Sequence, residues 1–381
     1  MGRLLVGIVA AALLAASAVS RLAGQSQSER APLAEEVFKN VQVLKGMPVN
    51  DFMATMGMFS AALGMSCEDC HMAGDTSWEN YAADNPRKQM ARAMVTMMAA
   101  INKTQFGGRQ MVTCFSCHRG TYRPKTTPDL TTLHGSPPLP DPRDIIEQSP
   151  IAPKPDEVLE KYLQAVGGLE RAAALTSFAA RGTSVGYGPD SEESPIEIYA
   201  RAPNQRTAIV RTTSGTRTTT FDGRNGWVSA PFRPVPVLAL AGADLDGLRL
   251  DAELAFPARI KQVLARWRVG VPTVIEDREV YLVQGTGAPG LTANLYFDAE
   301  TGLLVRQVRL VDSPIGRLPT QVDYGDYRDV AGLKMPFRFV VTWLDGRDTI
   351  QLTEIRPNVP IEAARFARPG PPGPPVARPG R

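Results

Sequence analysis

Two copies of one short pattern contain all four cysteines of this 381-residue chain. In each copy two residues separate the cysteines and a histidine follows directly, at residues 67–71 (the first motif) and 114–118 (the second motif). This spacing lets both thiols add to the two vinyl groups of one haem, and it places the imidazole where it can bind the iron. The pattern therefore predicts two covalently bound haem c groups. We expect thioether bonds from the cysteines and proximal ligation by the histidines, at Cys67, Cys70, Cys114, Cys117, His71 and His118.

The same cysteines allow a second interpretation, a tetrahedral zinc site of four thiolates. Such a site needs no histidine after each cysteine pair, yet both pairs have one. The stretch between the two pairs is also long for a compact zinc ribbon. The pattern favours haem, and zinc stays the alternative.

Methionines are concentrated around the two motifs. Eleven of the thirteen lie between Met47 and Met111. Asn50 is placed to cap a helix that ends near Leu63, and Pro86 to open a second helix with an apolar stripe. The thioether of methionine is a usual sixth ligand of haem iron in electron-carrying cytochromes, although methionine also fills core gaps. Spacing alone does not choose between Met53 and Met56 on the first helix, or among Met90, Met94 and Met98 on the second.

The number of histidines in the chain further limits which residues can be the sixth ligand of each haem iron. The chain has three histidines, and two of them belong to the motifs. The third, His134, lies in a proline-rich stretch where a solvated surface position is the ordinary role. At most one haem can therefore have two histidine ligands, and whether His134 replaces a methionine stays open.

Several segments around the two motifs form a longer pattern. They are residues 40–45, Asp-Phe-Met-Ala-Thr-Met at 51–56, Lys-Gln-Met-Ala-Arg-Ala-Met at 88–94, and the two motifs through Gly120. With these segments, the region from residue 35 to residue 122 resembles the cytochrome c subunit of photosynthetic reaction centres. In that family a helix supplies methionine to the iron of the haem attached just after it. The resemblance implies Met56 as sixth ligand for the first motif and Met94 for the second.

This chain departs from the family pattern in two ways. The photosynthetic subunit has four haems, whereas this sequence has motifs for two. The sequence after about residue 156 has no counterpart there. Donation of electrons to a photo-oxidised pigment is therefore not implied, and the choice between photosynthesis and respiration stays open.

The N-terminus has the features of an export signal. Arg3 precedes an apolar run at residues 4–19, and Ala16, Ser17 and Ala18 offer small residues for cleavage. Residues 1–24 are predicted to be a signal peptide or an uncleaved membrane anchor, although the run is short for a span of about 20 residues. Export agrees with haem c, which is attached outside the cytoplasm. The expected location is the periplasm or the extracellular space.

Proline clusters divide the chain. Residues 124–154 are predicted to be a proline-rich linker between a diheme cytochrome c domain at 30–123 and a second domain at 155–366. Residues 367–381, rich in proline and glycine, are predicted to be a disordered tail. The fold class is therefore multidomain, with a mostly α multihaem domain first.

The second domain is predicted to be α+β. Leu159, Tyr162, Leu163 and Val166 form the apolar stripe of a helix that Gly167 ends. Strand-type alternation follows, for instance with Leu291, Ala293, Leu295 and Phe297 inward and Thr292, Asn294, Tyr296 and Asp298 outward. Asp-Gly and Asn-Gly pairs at 222, 225 and 345 indicate hairpin turns.

This order of elements, a large curved antiparallel sheet with helices, is similar to the half-barrel of the LolA-like lipoprotein carriers. The similarity implies a concave apolar surface for a lipid or a hydrophobic partner.

Three functions agree with these features. The first is a diheme electron carrier, not an enzyme, with a redox protein as donor and another as acceptor, membrane-bound or soluble. The second is a peroxidase-like diheme enzyme, which needs one open iron site; a methionine-bearing helix before each motif argues against this. The third is a haem-bearing docking or lipid-binding protein in which the sheet dominates. A formal net charge of +3 gives no field that would favour nucleic acid.

Overall fold

The computed structural model describes residues 29–71, 78, 80–128, 130, 145–187, 191–231, 233–287 and 292–372. The predicted signal or anchor at 1–24, His134 and the tail from residue 373 lie outside the described residues. Ala31–Arg381 groups as one compact unit, with helices first and a sheet after them. In the described part of the motif region the helices are α1 (Ala34–Val37), α2 (Val49–Leu63), α3 (Cys67–Cys70), α4 (Pro86–Gln105) and α5 (Cys114–His118).

Helix α2 is the helix predicted before the first motif, but its cap differs. It begins at Val49 with Pro48 at the N-cap, so the prediction that Asn50 caps it is wrong. The Val49 N–H donates to the carbonyl of Pro32 at 2.9 Å. A preceding backbone segment thus satisfies one N–H that would otherwise need a capping side chain.

Helix α4 confirms the prediction of a helix that opens at Pro86. The side chain of Asn85 occupies the N-cap and accepts the Lys88 N–H at 3.0 Å. Proline at the first helical position loses no hydrogen bond, because that N–H has no partner within the helix.

The second region is a sheet with helices packed on it. The helices are α6 (Pro155–Ala165), α7 (Leu169–Ala174), α8 (Gly242–Leu254) and α9 (Ile260–Val263). The strands among the described residues are β1 (Ser177–Val185), β2 (Glu193–Arg201), β3 (Gln205–Thr212), β4 (Gly215–Phe221), β5 (Gly226–Ser229), β6 (Val237–Ala239), β7 (Arg266–Val269), β8 (Thr273–Ile275), β9 (Arg278–Thr286), β10 (Thr292–Asp298), β11 (Leu304–Ser313), β12 (Gly316–Val330), β13 (Leu333–Trp343) and β14 (Gly346–Pro357).

All strand pairs described are antiparallel. The order runs from β6 down to β1, continues with β14 down to β9, and ends with β7 and β8 beside β9. The pairing of β1 with β14 joins the first strand of the sheet to the last. The predicted α+β fold class with a large antiparallel sheet is confirmed.

The predicted helix stripe and strand alternation explain the core. Val158, Leu159, Tyr162 and Leu163 of α6 are buried against the sheet, in one cluster with Leu295 and Phe297. The predicted exposure of Asn294 and Asp298 is wrong, because the two side chains are only 3% and 4% exposed. The Asp298 carboxylate accepts the N–H groups of Glu300 and Thr301 at 3.0 and 2.7 Å. Asn294 has a partner on the neighbouring strand. Gln284 of β9 donates to its side-chain oxygen at 3.1 Å.

One end of the sheet packs against the helices of the motif region. Val311, Ile315 and Leu318, around the turn between β11 and β12, share a hydrophobic cluster with Met58 of α2 and Met98 of α4. Ile315 is fully buried. The sheet therefore forms part of the surface on which both helices are positioned.

Candidate haem-attachment sites

Each motif forms a single helical turn with a polar residue directly before it. In the second motif Thr113 and Ser116 exchange two bonds: the Ser116 N–H donates to Thr113 Oγ1 at 3.2 Å, and the Thr113 N–H donates to Ser116 Oγ at 3.0 Å. In the first motif the Ser66 N–H donates to the Asp69 carboxylate at 2.8 Å. Such caps hold both cysteines of each motif on one short turn. His118 is the last residue of that turn in the second motif, whereas His71 directly follows it in the first.

Both histidines are oriented by backbone carbonyls. Nδ1 of His71 lies 3.1 Å from the carbonyl oxygen of Tyr81, and Nδ1 of His118 lies 3.1 Å from that of Thr121. A hydrogen bond donated by Nδ1 leaves Nε2 as the nitrogen with a free lone pair, which is the usual arrangement for a metal-binding histidine. The residues present thus fit a haem iron at Nε2.

The ring of His71 is also held by packing. It stacks on the Tyr81 ring at a centroid distance of 4.5 Å, and Trp78 lies 5.2 Å beyond Tyr81. Burial lowers the pKa of His71, and the nearby Lys88 ammonium lowers it further. The neutral imidazole, the form that binds iron, is therefore favoured.

The four cysteines are free thiols in two separate pairs. Cys67 and Cys117 are exposed, whereas Cys70 and Cys114 are half-buried. Burial raises the pKa of Cys114 to about 11. In the described parts of the chain no three groups among histidine, cysteine, aspartate and glutamate are placed to hold a metal ion together, so the four-thiolate arrangement expected for zinc is not formed there.

The methionines of α2 divide between two faces. Met58 is 5% exposed and packs with Ile315 of the sheet, and Met53 packs with Leu238 and Val49 in another cluster. Met56 is half-buried and belongs to neither cluster. Among these three, Met56 has the thioether that the sheet leaves available.

The methionines of α4 divide in the same way. Met98 is 5% exposed and lies in the cluster around Ile315, whereas Met90 and Met97 are 55% and 48% exposed. Met94 is half-buried and lies between these groups on the helix. Met111 and Phe115, beside and within the second motif, are each 50% exposed. Exposed apolar side chains in one region are typical of a surface that another apolar group covers.

The two motifs are fastened to each other's helices. The Asn85 side chain, at the start of α4, donates to the carbonyl of Cys70 at 2.7 Å. The Gly120 N–H, directly after the second motif, donates to the carbonyl of Ala62 near the end of α2 at 2.9 Å. The motifs and their helices therefore form one interlocked assembly.

Asn102 positions the segment that leads into the second motif. It is buried, its Nδ2 donates to the Val112 carbonyl at 2.7 Å, and its Oδ1 accepts the N–H groups of Met111 and Val112 at 3.0 and 2.9 Å. The Cys114 N–H then meets the Ile315 carbonyl of the sheet at 3.4 Å.

A buried acidic pair joins α2 to the sheet region. Asp51 of α2 is hydrogen-bonded to Asp244 of α8, and Arg309 of β11 lies close enough to act on Asp244 by its charge. Burial and the charge of Asp244 raise the pKa of Asp51 to about 7. One carboxylate oxygen of each aspartate and the Nε of Arg309 are buried without a hydrogen-bond partner.

Sequence reasoning missed this pair, the two orienting carbonyls and the bond from Gly120 to α2. Asparagine directly before Pro86 was the one local signal available, since it predicts an N-cap. The other contacts join distant positions and leave no short pattern.

Comparison with known proteins agrees with the site. Residues 9–134 match the family model of the photosynthetic reaction centre cytochrome c subunit. That subunit from Thermochromatium tepidum is 35% identical over 99 residues, which cover 25% of this chain and 23% of the relative. The subunit from Rubrivivax gelatinosus is 35% identical over 99 residues, 25% of each protein. The matched segment thus spans about a quarter of each relative.

The predicted resemblance of the motif region is confirmed. For the sheet region, solved structures of a LolA superfamily protein from Nitrosomonas europaea and a DUF1329 family protein from Desulfovibrio piger are similar at TM-scores of 0.39 and 0.40. Their sequence identities are 14% and 9%, and each match covers 57% of this chain and 98% of the other. None of the helices in the described residues has the length and apolar character needed to cross a membrane.

Proposed function

We propose that the chain is an exported diheme c-type cytochrome that carries electrons between two redox proteins. Cys67 and Cys70 would hold one haem and Cys114 and Cys117 the other, through thioether bonds. His71 and His118 would be the proximal ligands, and Met56 and Met94 the sixth ligands. The bound iron supplies the chemistry, because it alternates between the ferric and ferrous states.

The observation that carries this proposal is the repeated geometry of the histidines. Each has Nδ1 on a backbone carbonyl and Nε2 free, beside a cysteine pair with the required spacing. Each motif also follows a helix with a half-buried methionine outside the main clusters. Zinc would require the thiols to converge, whereas haem requires each histidine to be oriented separately.

The interlocked assembly supports a carrier rather than an enzyme. The bonds from Asn85 to Cys70 and from Gly120 to Ala62 restrain the two helices against the motifs. With Met56 and Met94 restrained in this way beside His71 and His118, these residues would hold their positions when the oxidation state of a bound haem changes. An enzyme of the peroxidase type would need one exchangeable position instead.

Haem content and optical spectra test the proposal. Protein expressed with the haem c maturation system is denatured, and covalent haem per chain is counted beside spectra of both oxidation states. We expect two haems, low-spin bands and a methionine–iron charge-transfer band in the ferric form. The double substitution C114A/C117A is the matched control and should leave one haem.

Two results would contradict the proposal. A chain without covalent haem would remove the cytochrome function altogether. A high-spin component that binds small ligands would instead indicate an open iron site and a diheme enzyme.

A further inference from the structure

Two adjacent hairpin turns at one end of the sheet reach the two motifs. The turn between β11 and β12 meets the second motif, where the Cys114 N–H donates to the Ile315 carbonyl. The turn between β13 and β14, formed by Leu344 and Asp345, meets α2. The sheet thus presents a buried apolar side chain, Ile315, at the second motif and an acidic side chain, Asp345, at the helix before the first motif.

The contact with α2 lies directly beside the proposed iron ligand Met56. It is made at Gly57, which is buried. A Cβ placed on Gly57 would lie 3.1 Å from Cγ of Asp345 and 3.2 Å from Cβ of Leu344. The absence of a side chain at Gly57 therefore lets the acidic turn approach the helix at the level of Met56.

Burial raises the pKa of Asp345, and two neighbouring side chains act in the opposite direction and favour the charged form. The Trp343 side chain hydrogen-bonds to the carboxylate, and Arg233 acts on it as a nearby positive charge. Gly346 makes room for the Trp343 ring, since a Cβ there would lie 2.3 Å from Cζ2 of the indole. The charge of Asp345 is also felt by Cys67, whose pKa is raised mainly by burial and then by Asp345. The carboxylate is thus close to both α2 and the first motif.

We propose that the turn between β13 and β14 is part of the pocket of the first haem, and that the Asp345 carboxylate lowers the reduction potential of that haem. The inference rests on the proposed diheme cytochrome. Negative charge near the iron favours the ferric state, and the effect is large only at short range in a partly buried site. The turn at the second motif brings Ile315 instead, so the sheet gives the two haems different surroundings.

Potentiometric titration of Asp345→Asn tests the inference. Asparagine keeps the shape of the side chain and removes its charge. The reduction potential of the first haem should rise by up to about 59 mV, which for one electron corresponds to a tenfold change in the ferrous-to-ferric ratio. The reduction potential of the second haem should stay unchanged. The Met56→His variant identifies which of the two potentials belongs to the first haem.

Asp277→Asn is the matched control. Asp277 is exposed in the turn between β8 and β9, and the register of β9, β10 and β11 places that turn at the other end of the strands. Strand β9 is also four strands from β13, or about 19 Å across the sheet. This substitution removes the same charge and should leave both potentials unchanged.

A second variant changes the α2 side of the contact between Gly57 and Asp345. Gly57→Ala should push the turn away from α2 and raise the first potential in the same direction, while alanine favours the helix. If Asp345→Asn fails to accumulate with two haems, the potential of the first haem in Gly57→Ala tests the role of Asp345 instead.

The outcomes separate the inference from the function on which it rests. Two covalent haems with a first potential that stays at the Asp277→Asn value in both variants would overturn the role of Asp345. An equal shift of both potentials would overturn its specificity for the first haem. Wild-type protein without covalent haem would instead overturn the proposed function.

Discussion

At the scale of single residues, the histidines of the two motifs obtain the same hydrogen bond at Nδ1 by different means. His118 uses the carbonyl of Thr121, which is three positions away and belongs to the same turn. His71 uses the carbonyl of Tyr81, ten positions away, and stacks on the Tyr81 ring. The second site is therefore preformed locally, whereas the first depends on correct folding of the segment around Tyr81.

The sixth ligands can be tested at this scale. Histidine in place of Met56 or Met94 should keep a low-spin iron but lower the potential of one haem, because thioether ligation raises the potential relative to imidazole. Each substitution should also remove part of the methionine–iron charge-transfer band. A potentiometric titration with optical detection measures both effects.

Met58→Leu is the control for this prediction. Met58 lies on α2 but is buried against the sheet. A volume-conserving change there should cost less than about 1.5 kcal/mol and leave both potentials in place. If Met56→His behaves like Met58→Leu, Met56 is not a ligand.

At the scale of elements, the end of α2 is shaped by a close approach of two backbones. Gly64 ends the helix in the left-handed region at φ 64°. A Cβ at Gly64 would lie 2.3 Å from the carbonyl oxygen of Gly120, which follows the second motif. The bond from Gly120 to Ala62 requires this approach, so a side chain at Gly64 would separate α2 from the second motif.

Gly64→Ala should therefore lower the free energy of unfolding by more than the backbone strain at a left-handed position accounts for. Gly107→Ala provides the comparison, since Gly107 has φ 60° and nothing lies within 4 Å of a Cβ placed there. We expect about 1 kcal/mol for Gly107→Ala, from strain in the left-handed region. Gly64→Ala should cost at least about 2 kcal/mol more, by urea unfolding, because a backbone atom must move. Equal costs for the two variants would contradict the proposed close contact.

At the scale of the whole molecule, the helices of the motif region share their core with the sheet. The cluster around Ile315 and the cluster around Val49 each contain residues from both regions. Asp51 and Asp244 place a buried acidic pair in the same interface. The stability of the motif region should therefore respond to changes in the sheet.

The acidic pair predicts a dependence of stability on pH. The folded pKa of Asp51 is raised from 3.8 to about 7. Between these values the folded protein keeps a proton that the unfolded chain releases, so the free energy of unfolding should fall as pH rises from about 4 to 7. We expect a loss of about 2 kcal/mol from this group, since part of Asp51 remains exposed to solvent.

Urea unfolding across this pH range checks the prediction. Asp51→Asn should reduce the decline and leave the part that comes from Asp244, whose pKa is also raised by burial. Glu300→Gln, at an exposed loop position, should retain the whole decline. A decline of the same size in Asp51→Asn would assign the pH dependence to other groups.

The sequence by itself determined the parts that depend on short-range spacing. The two motifs are recognisable because two thiols at this spacing can reach one haem and a histidine directly follows them. The helix stripes, including that of α6, and the alternation through Ala293, Leu295 and Phe297 follow from the periods of helix and strand. The fold class was predictable for the same reason, although the alternation failed at Asn294 and Asp298. A neighbouring strand supplies a buried partner for Asn294, and the following turn supplies N–H donors for Asp298.

Only the tertiary structure decided which methionines face the sheet, what orients His71, and which carboxylates approach α2. These contacts join residues far apart along the chain, such as Gln110 and Ser313, which are bonded across 203 positions. A local pattern reports how a segment buries its apolar side chains, but not which segment covers it. Met56 and Met58 look equivalent in sequence, and they differ because the turn between β11 and β12 packs on one side of α2.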